Sequence, residues 1–293
     1  MKTVVKILLV FSVLAILAVA FRVGYRQYIN YEREQSIAAE MQKTKPPTSA
    51  PSTTVTAPPT TAKPKLSKID IPAEFINYTA ENNAGSPVGS TTDLPDLTNS
   101  VFIGDSVSLG FARYCAQKGI MQETVFLTAG SYAVHHALNS SVSEGKGFKH
   151  PIYKGKELPV KEAIKELSPS NVYFCLGIND IAGFGVEGTV KNYCKLINSV
   201  WEINPDIHIY VVSTTFLVEE AQKTNLNNLN LANLNHNMKA ICEEYENLDY
   251  IDIMSSLQSE SFSLSPNYCS DAYIHQNNSA YSVWEKMLNR EGE

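Results

Sequence analysis

The chain contains little cysteine and little charge for its length. Five of its 293 residues are cysteines, and charged residues make up 18%. No two cysteines form a CxxC pair, and no cysteine–histidine spacing resembles a zinc site. We therefore expect no bound metal, and we interpret most of the cysteines as small, buried apolar residues. The spacing selects no disulfide pair among Cys115, Cys175, Cys194, Cys242 and Cys269.

A stripe of basic residues is also absent. The formal net charge is −6, and no cluster of lysine and arginine marks the C-terminal two thirds of the chain. Because nucleic-acid binding depends on clustered positive charge, we expect no nucleic-acid partner. The hydrophobic content of 44% is typical of a globular protein, here with a surface rich in asparagine and serine.

Long apolar runs are absent except near the N-terminus, where Ile7–Phe21 carries no charge. This run would form a helix of about 22 Å. A bilayer core of roughly 30 Å is longer, although Lys6 could reach the interface with its flexible stem. We interpret residues 1–27 as an uncleaved signal-anchor, that is, a transmembrane segment. A cleaved signal peptide is the alternative, because Ala18-Val19-Ala20 has the form of a cleavage site.

Both interpretations of the N-terminus export the rest of the chain. The arginines after the apolar run outnumber the lysines before it, which by itself favours the opposite orientation. Little of the proline- and threonine-rich stretch from Thr44 to Lys65 can pack against a core, so it would act as a spacer. A spacer beside a membrane helix suits a domain held away from the bilayer, which favours export. We predict a juxtamembrane stalk and disordered linker over 28–97. A folded domain over 98–293 would then lie on the extracytoplasmic side of a cell membrane.

From about Thr98 onward, apolar runs alternate with amphipathic stretches. The predicted strands are Ser100–Gly104, Thr124–Thr128, Asn171–Leu176, Ile207–Ser213 and Tyr250–Ile253. The predicted helices are Val107–Lys118, Pro159–Leu167, Val186–Ile203, Leu231–Tyr245 and Ser279–Leu288. The strands are apolar on both faces, as in a buried parallel sheet, so the alternation predicts an α/β fold with about five parallel strands. We expect the asparagine-rich tract 225–237 to form the solvent face and start of its helix.

Polar or glycine-containing loops follow three of these strands. Ser106 comes after the first strand, Gly130 after the second and Asn179 after the third. In an open α/β sheet the carboxyl ends of the strands share one edge, where ligands bind. A serine at a strand-to-helix turn can act as a nucleophile toward an ester carbonyl, although Gly-Asp-Ser is also an ordinary turn. The N–H groups of Ser106 and Gly130 and the Asn179 amide could hold the oxyanion.

Such a serine requires a base, and six histidines are available. We favour His275, because it lies in a loop before the last helix and could fold over the sheet edge beside Ser106. Asp271 is close enough in sequence to fix its tautomer. His135 and His136 follow Gly130, so one of them could line the pocket, but we interpret both as surface residues.

Taken together, these blocks resemble a known family. Gly104-Asp105-Ser106, the glycine of Ala129-Gly130-Ser131, Gly177-Ile178-Asn179-Asp180 and the late Asp/His pair are similar to the four blocks of the SGNH hydrolases, also called GDSL-type esterases. The blocks occur in the family's order and cover essentially everything after the linker. The resemblance implies a flavodoxin-like three-layer α/β/α sandwich, Ser106 as nucleophile and His275 as base. It also implies an oxyanion hole of Ser106, Gly130 and Asn179, and no cofactor.

One feature departs from the family pattern. The family usually has its aspartate three residues before the histidine, whereas Asp271 lies four before His275. A one-residue bulge could absorb the difference, and otherwise a backbone carbonyl would orient the imidazole. Asp105 and Asp180 we interpret as structural: Asp105 would accept N–H bonds in its turn, and Asp180 would brace its loop.

The anchor, the spacer and the SGNH-like domain together suggest an extracytoplasmic serine esterase. Its expected substrate is an acylated, most simply O-acetylated, carbohydrate of the cell wall or surface. Two alternatives remain: a lipase or thioesterase acting on lipid acyl esters, and an inactive SGNH-like module that binds glycans. The sequence does not determine the oligomeric state.

Overall fold

The structure is a computed structural model that describes residues 68–79, 86–92, 95–141 and 147–288. The predicted signal-anchor over 1–27 and the proline- and threonine-rich stretch lie outside these residues. Among the helices of the described part, none has both the length and the apolar character needed to span a bilayer.

A parallel sheet of five strands forms the centre of the molecule. The described strands are β1 (Ser100–Gly104), β2 (Val125–Thr128), β3 (Ile152–Tyr153), β4 (Lys156–Glu157), β5 (Asn171–Cys175), β6 (His208–Val212) and β7 (Leu248–Ile251). The sheet has the order β2-β1-β5-β6-β7, and every neighbouring pair is parallel. A separate two-stranded hairpin is made by β3 and β4.

Helices cover both faces of this sheet, which gives the predicted three-layer α/β/α architecture. The described helices are α1 (Ser106–Lys118), α2 (Val134–Ala137), α3 (Val160–Leu167), α4 (Ile178–Trp201), α5 (Asn228–Cys242) and α6 (Asn278–Leu288). Helices α1 and α6 pack together, while α4 packs with α2, α3 and α5. Strands β1 and β5 are buried along their whole length, as expected for inner parallel strands covered on both sides.

The core is centred on aromatic side chains of the inner strands. Phe102 of β1 stacks on Tyr173 of β5 with ring centroids 5.7 Å apart. On the α1 and α6 side, Phe111 lies 5.1 Å from Trp284. All four rings are 0% exposed. Each such side chain contributes a few kcal/mol through its burial, so these contacts bind the two helices to the sheet.

The sequence predicted all five sheet strands, with small errors at their ends. The largest error is in the last strand, which runs over Leu248–Ile251 instead of Tyr250–Ile253. Helix α4 begins at Ile178, eight residues before its predicted start at 186. The glycines at 183, 185 and 188 obscured this first part, and Gly185 breaks the helix with φ +64°.

The asparagine-rich tract is not a solvent face, and this prediction is wrong. Four of its asparagines are buried. Asn228 accepts a hydrogen bond from Leu217 N at 2.9 Å and donates one to Leu217 O at 3.0 Å, and Asn235 holds both backbone groups of Thr214 in the same way. A side-chain amide carries both a donor and an acceptor, so each asparagine pairs with both the N–H and the C=O of one residue in a buried loop.

Asparagines also hold residues 69–78 against the domain. Asn198 of α4 binds both backbone groups of Ile69, at 2.7 and 2.8 Å. Asn237 and Asn233 of α5 do the same for Ile76 and Tyr78. Ile69 is 2% exposed. This part of the segment predicted as linker therefore lies along α4 and α5 in the structure.

Candidate active site

Ser106 is the first residue of α1, one residue beyond the turn that ends β1. The carboxylate of Asp105 accepts a hydrogen bond from Val107 N at 2.9 Å and so caps the helix. Gly104 is required here, because a Cβ would lie 2.1 Å from the Ser108 Oγ. The hydroxyl of Ser106 thus stands at the positive end of a helix, at the carboxyl edge of the sheet.

The structure places His275 beside this serine, as predicted. Its Nε2 lies 3.0 Å from Ser106 Oγ, although the two residues are 169 positions apart. Its Nδ1 lies 2.5 Å from Asp271 Oδ2. Serine, imidazole and carboxylate therefore form one continuous chain of hydrogen bonds, the arrangement in which an imidazole can accept the serine proton.

Asp271 also closes the loop that carries His275. Its Oδ1 accepts hydrogen bonds from the backbone N–H groups of Tyr273, Ile274 and His275, at 2.9 to 3.2 Å. Ala272 adopts φ +56°, a left-handed conformation that is unfavourable for alanine. This strained residue accommodates the additional position between Asp271 and His275, so the aspartate reaches the imidazole despite the longer spacing.

The interaction with His275 changes the pKa of the Asp271 carboxyl. Partial burial by itself would raise the pKa of Asp271, but the hydrogen bond and positive charge of His275 outweigh burial and lower it. Both side chains are partly open to solvent, at 33% for Asp271 and 43% for His275. Water therefore screens their interaction more strongly than it would screen a fully buried pair.

The register of the sheet brings the predicted oxyanion residues to the same edge. Gly104 pairs with Thr128 on one side and with Cys175 on the other. Ser106 lies two residues beyond Gly104, and Gly130 lies two residues beyond Thr128. The two residues therefore follow their strands at the same height along the sheet. Asn179 lies in the first turn of α4, with Nδ2 at 3.4 Å from Asp105 Oδ2.

Asn179 is also oriented by a neighbouring loop. Its Nδ2 donates to Tyr132 O at 3.0 Å, which uses one of the two amide hydrogens and fixes the plane of the amide. Tyr132 itself is fully buried, and its hydroxyl lies 2.7 Å from His150 Nδ1. The second amide hydrogen faces Asp105 Oδ2 across the longer distance of 3.4 Å, so an oxyanion would have to replace this weaker bond while the bond to Tyr132 holds the amide in place.

Asp105 is a buried carboxyl group next to the serine. Burial raises its pKa to about 6, although the N–H bonds from Val107 and Ser108 and the charge of His275 oppose the rise. The geometry agrees with the predicted structural role, because the carboxylate caps α1 and does not contact His275 in the hydrogen-bond chain described above.

Asp180 braces the loop after β2, in agreement with its predicted role. It is 0% exposed, and it accepts hydrogen bonds from Val134 N at 2.8 Å and His135 N at 3.1 Å. Its Oδ1 also lies 2.8 Å from His135 Nδ1. The predicted surface location of His135 is therefore incomplete: the ring is 35% exposed, but a buried carboxylate holds it next to Asn179.

A cleft of about 440 Å³ opens beside Ser106 and His275. One wall is a single face of α1, with residues spaced by three and four positions from the serine. The other wall comes from the His275 loop and α6. The lining residues are Ser106, Gly110, Arg113, Tyr114, Gln117, Ser270, Asp271, His275, Gln276, Asn278 and Tyr281.

Sequence reasoning missed most of these cleft residues, because they belong to none of the four blocks. The helical period counted from Ser106 would have found Gly110, Arg113 and Gln117. Gly110 is needed for the shape of the cleft, since a Cβ there would lie 1.9 Å from the Tyr281 hydroxyl. That hydroxyl donates to Val107 O at 3.0 Å and so ties α6 to the start of α1.

The described part of the chain contains no group of three or more histidine, cysteine, aspartate or glutamate residues arranged to hold a metal ion. Its five cysteines are all free thiols, and four of them are buried. Burial raises the pKa of Cys115 to about 12, so this thiol stays protonated and inert.

Several solved structures resemble this chain in fold. They include a GDSL-like lipase from Bacteroides thetaiotaomicron, with 14% identity over 65% of this chain and 85% of that one, at a TM-score of 0.48. A carbohydrate esterase of family 3 from Talaromyces cellulolyticus is 12% identical over 64% of this chain and 93% of its own, with a TM-score of 0.43. A mutant acetyl-xylooligosaccharide esterase from Geobacillus stearmophilus is 14% identical over 68% of this chain and 96% of its own, with a TM-score of 0.49. These values are too low to transfer a substrate.

Comparison with the curated proteins gives no match. A family model is decisive instead: the one described as the GDSL-like Lipase/Acylhydrolase family matches residues 102–283. The match spans the described domain from β1 into α6 and includes Ser106, Gly130, Asn179, Asp271 and His275. The fold, the ordered blocks and this match agree. The chain belongs to the GDSL-like lipase/acylhydrolase family and is an SGNH-type serine ester hydrolase.

Proposed function

We propose that this esterase removes O-acetyl or other short acyl groups from cell-wall or surface carbohydrate outside the cytoplasm. The observation that carries this proposal is the composition of the cleft beside Ser106 and His275. Most of the described residues that line it carry hydroxyls, amides or charged groups, and none of these described residues has an aliphatic side chain. Such a surface suits the hydroxyl-rich parts of a carbohydrate and a small acyl group, whereas a long acyl chain would need an apolar wall.

In the proposed reaction, His275 Nε2 takes the proton of Ser106 Oγ while Oγ forms a bond to the ester carbonyl carbon. The carbonyl π electrons move to its oxygen, which the N–H groups of Ser106 and Gly130 and the amide of Asn179 hold as an oxyanion. Collapse of this intermediate breaks the bond to the alcohol, and the alcohol leaves with the proton from His275.

A water molecule then repeats the sequence on the acyl-serine. His275 accepts its proton, the hydroxide adds to the acyl carbon, and collapse returns the proton to Ser106 Oγ with release of the carboxylic acid. Throughout, Asp271 stabilises the imidazolium and keeps a proton on Nδ1. No electrons enter or leave, so this sequence requires no cofactor.

The direct test replaces the proposed nucleophile. Ser106→Ala should abolish hydrolysis of p-nitrophenyl acetate and labelling by a fluorophosphonate probe, while Ser108→Ala serves as the control for a serine on the same helix. Wild-type turnover by Ser106→Ala would refute the assignment of the nucleophile. Absence of labelling in the unsubstituted protein would favour the inactive glycan-binding module instead.

The lipase alternative is separated by acyl chain length. With p-nitrophenyl esters of two to twelve carbons, we expect kcat/KM to be highest for acetate and to fall steadily. A maximum at octanoate or longer would support action on lipid acyl esters and contradict the proposal.

The proposed location rests on the apolar run Ile7–Phe21 and the spacer that follows it. In cells that express the full-length chain, the domain should sediment with membranes and be degraded when protease is added to intact cells. Domain found in the medium with a new N-terminus after Ala20 would indicate a cleaved signal peptide. Protection from protease would refute export.

A further inference from the structure

A cluster of ring side chains lies beside the oxyanion-hole residues and has no part in the reaction described above. It consists of His135, His136, Phe148 and Phe184, and we call it the ring cluster. The His135 ring centroid is 4.0 Å from that of His136 and 4.9 Å from that of Phe184. His136 in turn stacks on Phe148, with centroids 4.1 Å apart and an interplanar angle of 7°.

Two anchors fix this cluster relative to the site. Asp180, which directly follows Asn179 in sequence, holds the backbone of Val134 and both the backbone and Nδ1 of His135. The Tyr132 carbonyl accepts the bond from Asn179 Nδ2. The segment 132–136 therefore carries the two histidines of the ring cluster and orients an oxyanion donor, so a ligand on these rings would lie next to the acyl-transfer site.

The backbone around Phe184 leaves its ring open to solvent. The side chain is 47% exposed, which is rare for a large apolar residue among those described. Its neighbours at 183 and 185 are glycines, and a Cβ on either would meet nothing within 4 Å. Gly185 also turns the chain with φ +64° and interrupts α4 at this point. The ring lies over Gly188 of its own helix, where a Cβ would be 3.9 Å from the ring atoms, and against His135, and the rest of its surface is open to solvent.

The cluster combines apolar ring faces with a polar edge. Burial and the neighbouring histidines lower the pKa of His136 to about 4, so this ring is uncharged at neutral pH. His135 faces Asp180 through Nδ1, which leaves Nε2 on the other edge of its partly exposed ring. A surface of ring faces with a hydrogen-bonding nitrogen at its edge matches a pyranose, which has C–H groups on its faces and hydroxyls around its rim.

We propose that the ring cluster is the subsite that holds the sugar ring bearing the ester, with Phe184 stacking on the ring face and His135 Nε2 bonding a hydroxyl. This inference rests on the proposed function, because it assumes a carbohydrate substrate. An acyl chain is a poorer occupant, because the cluster is an open surface whose members include two imidazoles, not an enclosed apolar channel.

The kinetic test compares two substrates in the full-length chain. For each variant we take the ratio of kcat/KM for an O-acetylated xylo-oligosaccharide to kcat/KM for p-nitrophenyl acetate, which lacks a sugar. Phe184→Ala should lower this ratio about five- to tenfold, mainly through a higher KM for the oligosaccharide. Phe184→Trp should restore it, and Phe184→Leu should not. Ile71→Ala, which removes a 45%-exposed apolar side chain from the segment held by α4 and α5, is the matched control.

A binding test separates this proposal from the proposed function. In the Ser106→Ala background, titration with the same oligosaccharide should give a Kd that Phe184→Ala raises at least fivefold. Binding that depends on Phe184, without hydrolysis of the glycan ester by the unsubstituted protein, would refute the hydrolase proposal but support the subsite. A ratio and a Kd that Phe184→Ala changes less than twofold, or no binding in the Ser106→Ala background, would overturn the subsite.

Discussion

The hydrogen bond between Asp271 and His275 makes a quantitative prediction for Asp271→Asn. Two unit charges about 4 Å apart interact by about 4 kcal/mol at an effective dielectric of 20 and about 1 kcal/mol in water. The exposures of 33% and 43% place this pair between those limits. We take about 2–3 kcal/mol as the stabilisation that the carboxylate gives to the imidazolium in the transition state.

The orientation of the substituted side chain adds to this loss. Oδ1 accepts three backbone N–H bonds, so the amide would keep its oxygen there and direct its nitrogen toward His275 Nδ1. That nitrogen can only donate, which favours the tautomer with its proton on Nε2, the atom that must accept from Ser106. With about 1 kcal/mol for this mismatch, the total is about 3–4 kcal/mol, or a loss of about 150- to 1,000-fold in kcat/KM.

The assay is p-nitrophenyl acetate hydrolysis at pH 7.5, with Glu123→Gln as the control for loss of one exposed carboxylate. Because the amide can still accept the backbone bonds, the thermal unfolding temperature of Asp271→Asn should remain close to that of the unsubstituted protein. A loss smaller than tenfold, with the fold intact, would refute the reasoning and show that Asp271 does not orient the imidazole.

Three further predictions concern the oxyanion site, the buried carboxyl and the asparagines. Asn179→Ala should lower kcat/KM for p-nitrophenyl acetate about 100- to 1,000-fold with little change in KM, because one preorganised donor is lost; an unchanged kcat would contradict its role. The raised pKa of Asp105 means that the folded protein binds its proton more tightly than the unfolded chain. This residue therefore lowers the free energy of unfolding as pH rises from about 4 to about 6, by roughly 3 kcal/mol in total. Asp105→Asn, which keeps a capping side chain, should remove this fall in urea titrations at pH 4 and pH 7.5; an identical pH dependence in both proteins would refute it. Asn237→Ala should lower the free energy of unfolding by about 1–3 kcal/mol and expose residues 69–78 to protease, because Ile76 loses both backbone partners. Substitution of an exposed asparagine, Asn225→Ala, is the control. Equal effects of the two substitutions would contradict the role of Asn237 in holding residues 69–78.

The cleft and the ring cluster divide the surroundings of Ser106 into two different surfaces. The cleft, between α1 and the His275 loop, is lined by hydroxyls, amides and charged groups. The ring cluster, formed by the two histidines of α2, Phe148 before the β3–β4 hairpin and Phe184 of α4, presents aromatic faces. An ester bound across the serine would contact both, and the substitutions proposed at Phe184 and Asp271 report on binding and chemistry separately.

Local sequence was sufficient for the sheet and for the residues that follow its strands. Short runs that are apolar on both faces, such as Ser100–Gly104 and Asn171–Cys175, can be buried only in a covered parallel sheet. Once the strands are parallel, the loops after them must share one edge, so Ser106, Gly130 and Asn179 were brought together by topology alone. The predicted contact of His275 with this edge depended on the family resemblance as well.

Other features depend on contacts between distant parts of the chain, and no local pattern reveals them. The asparagines of α5 have the same composition whether they face solvent or buried peptide groups, and only the docking of residues 69–78 and 214–217 decides which. The link from Asp271 to His275 depends on the left-handed backbone of Ala272, which a residue count cannot show. The sequence by itself determined the layers, the parallel strands and which residues follow each strand at the site edge. Only the tertiary structure decided that the rings of Phe184 and His135 are in contact. Side chains from distant segments form a common surface only when the whole domain has packed.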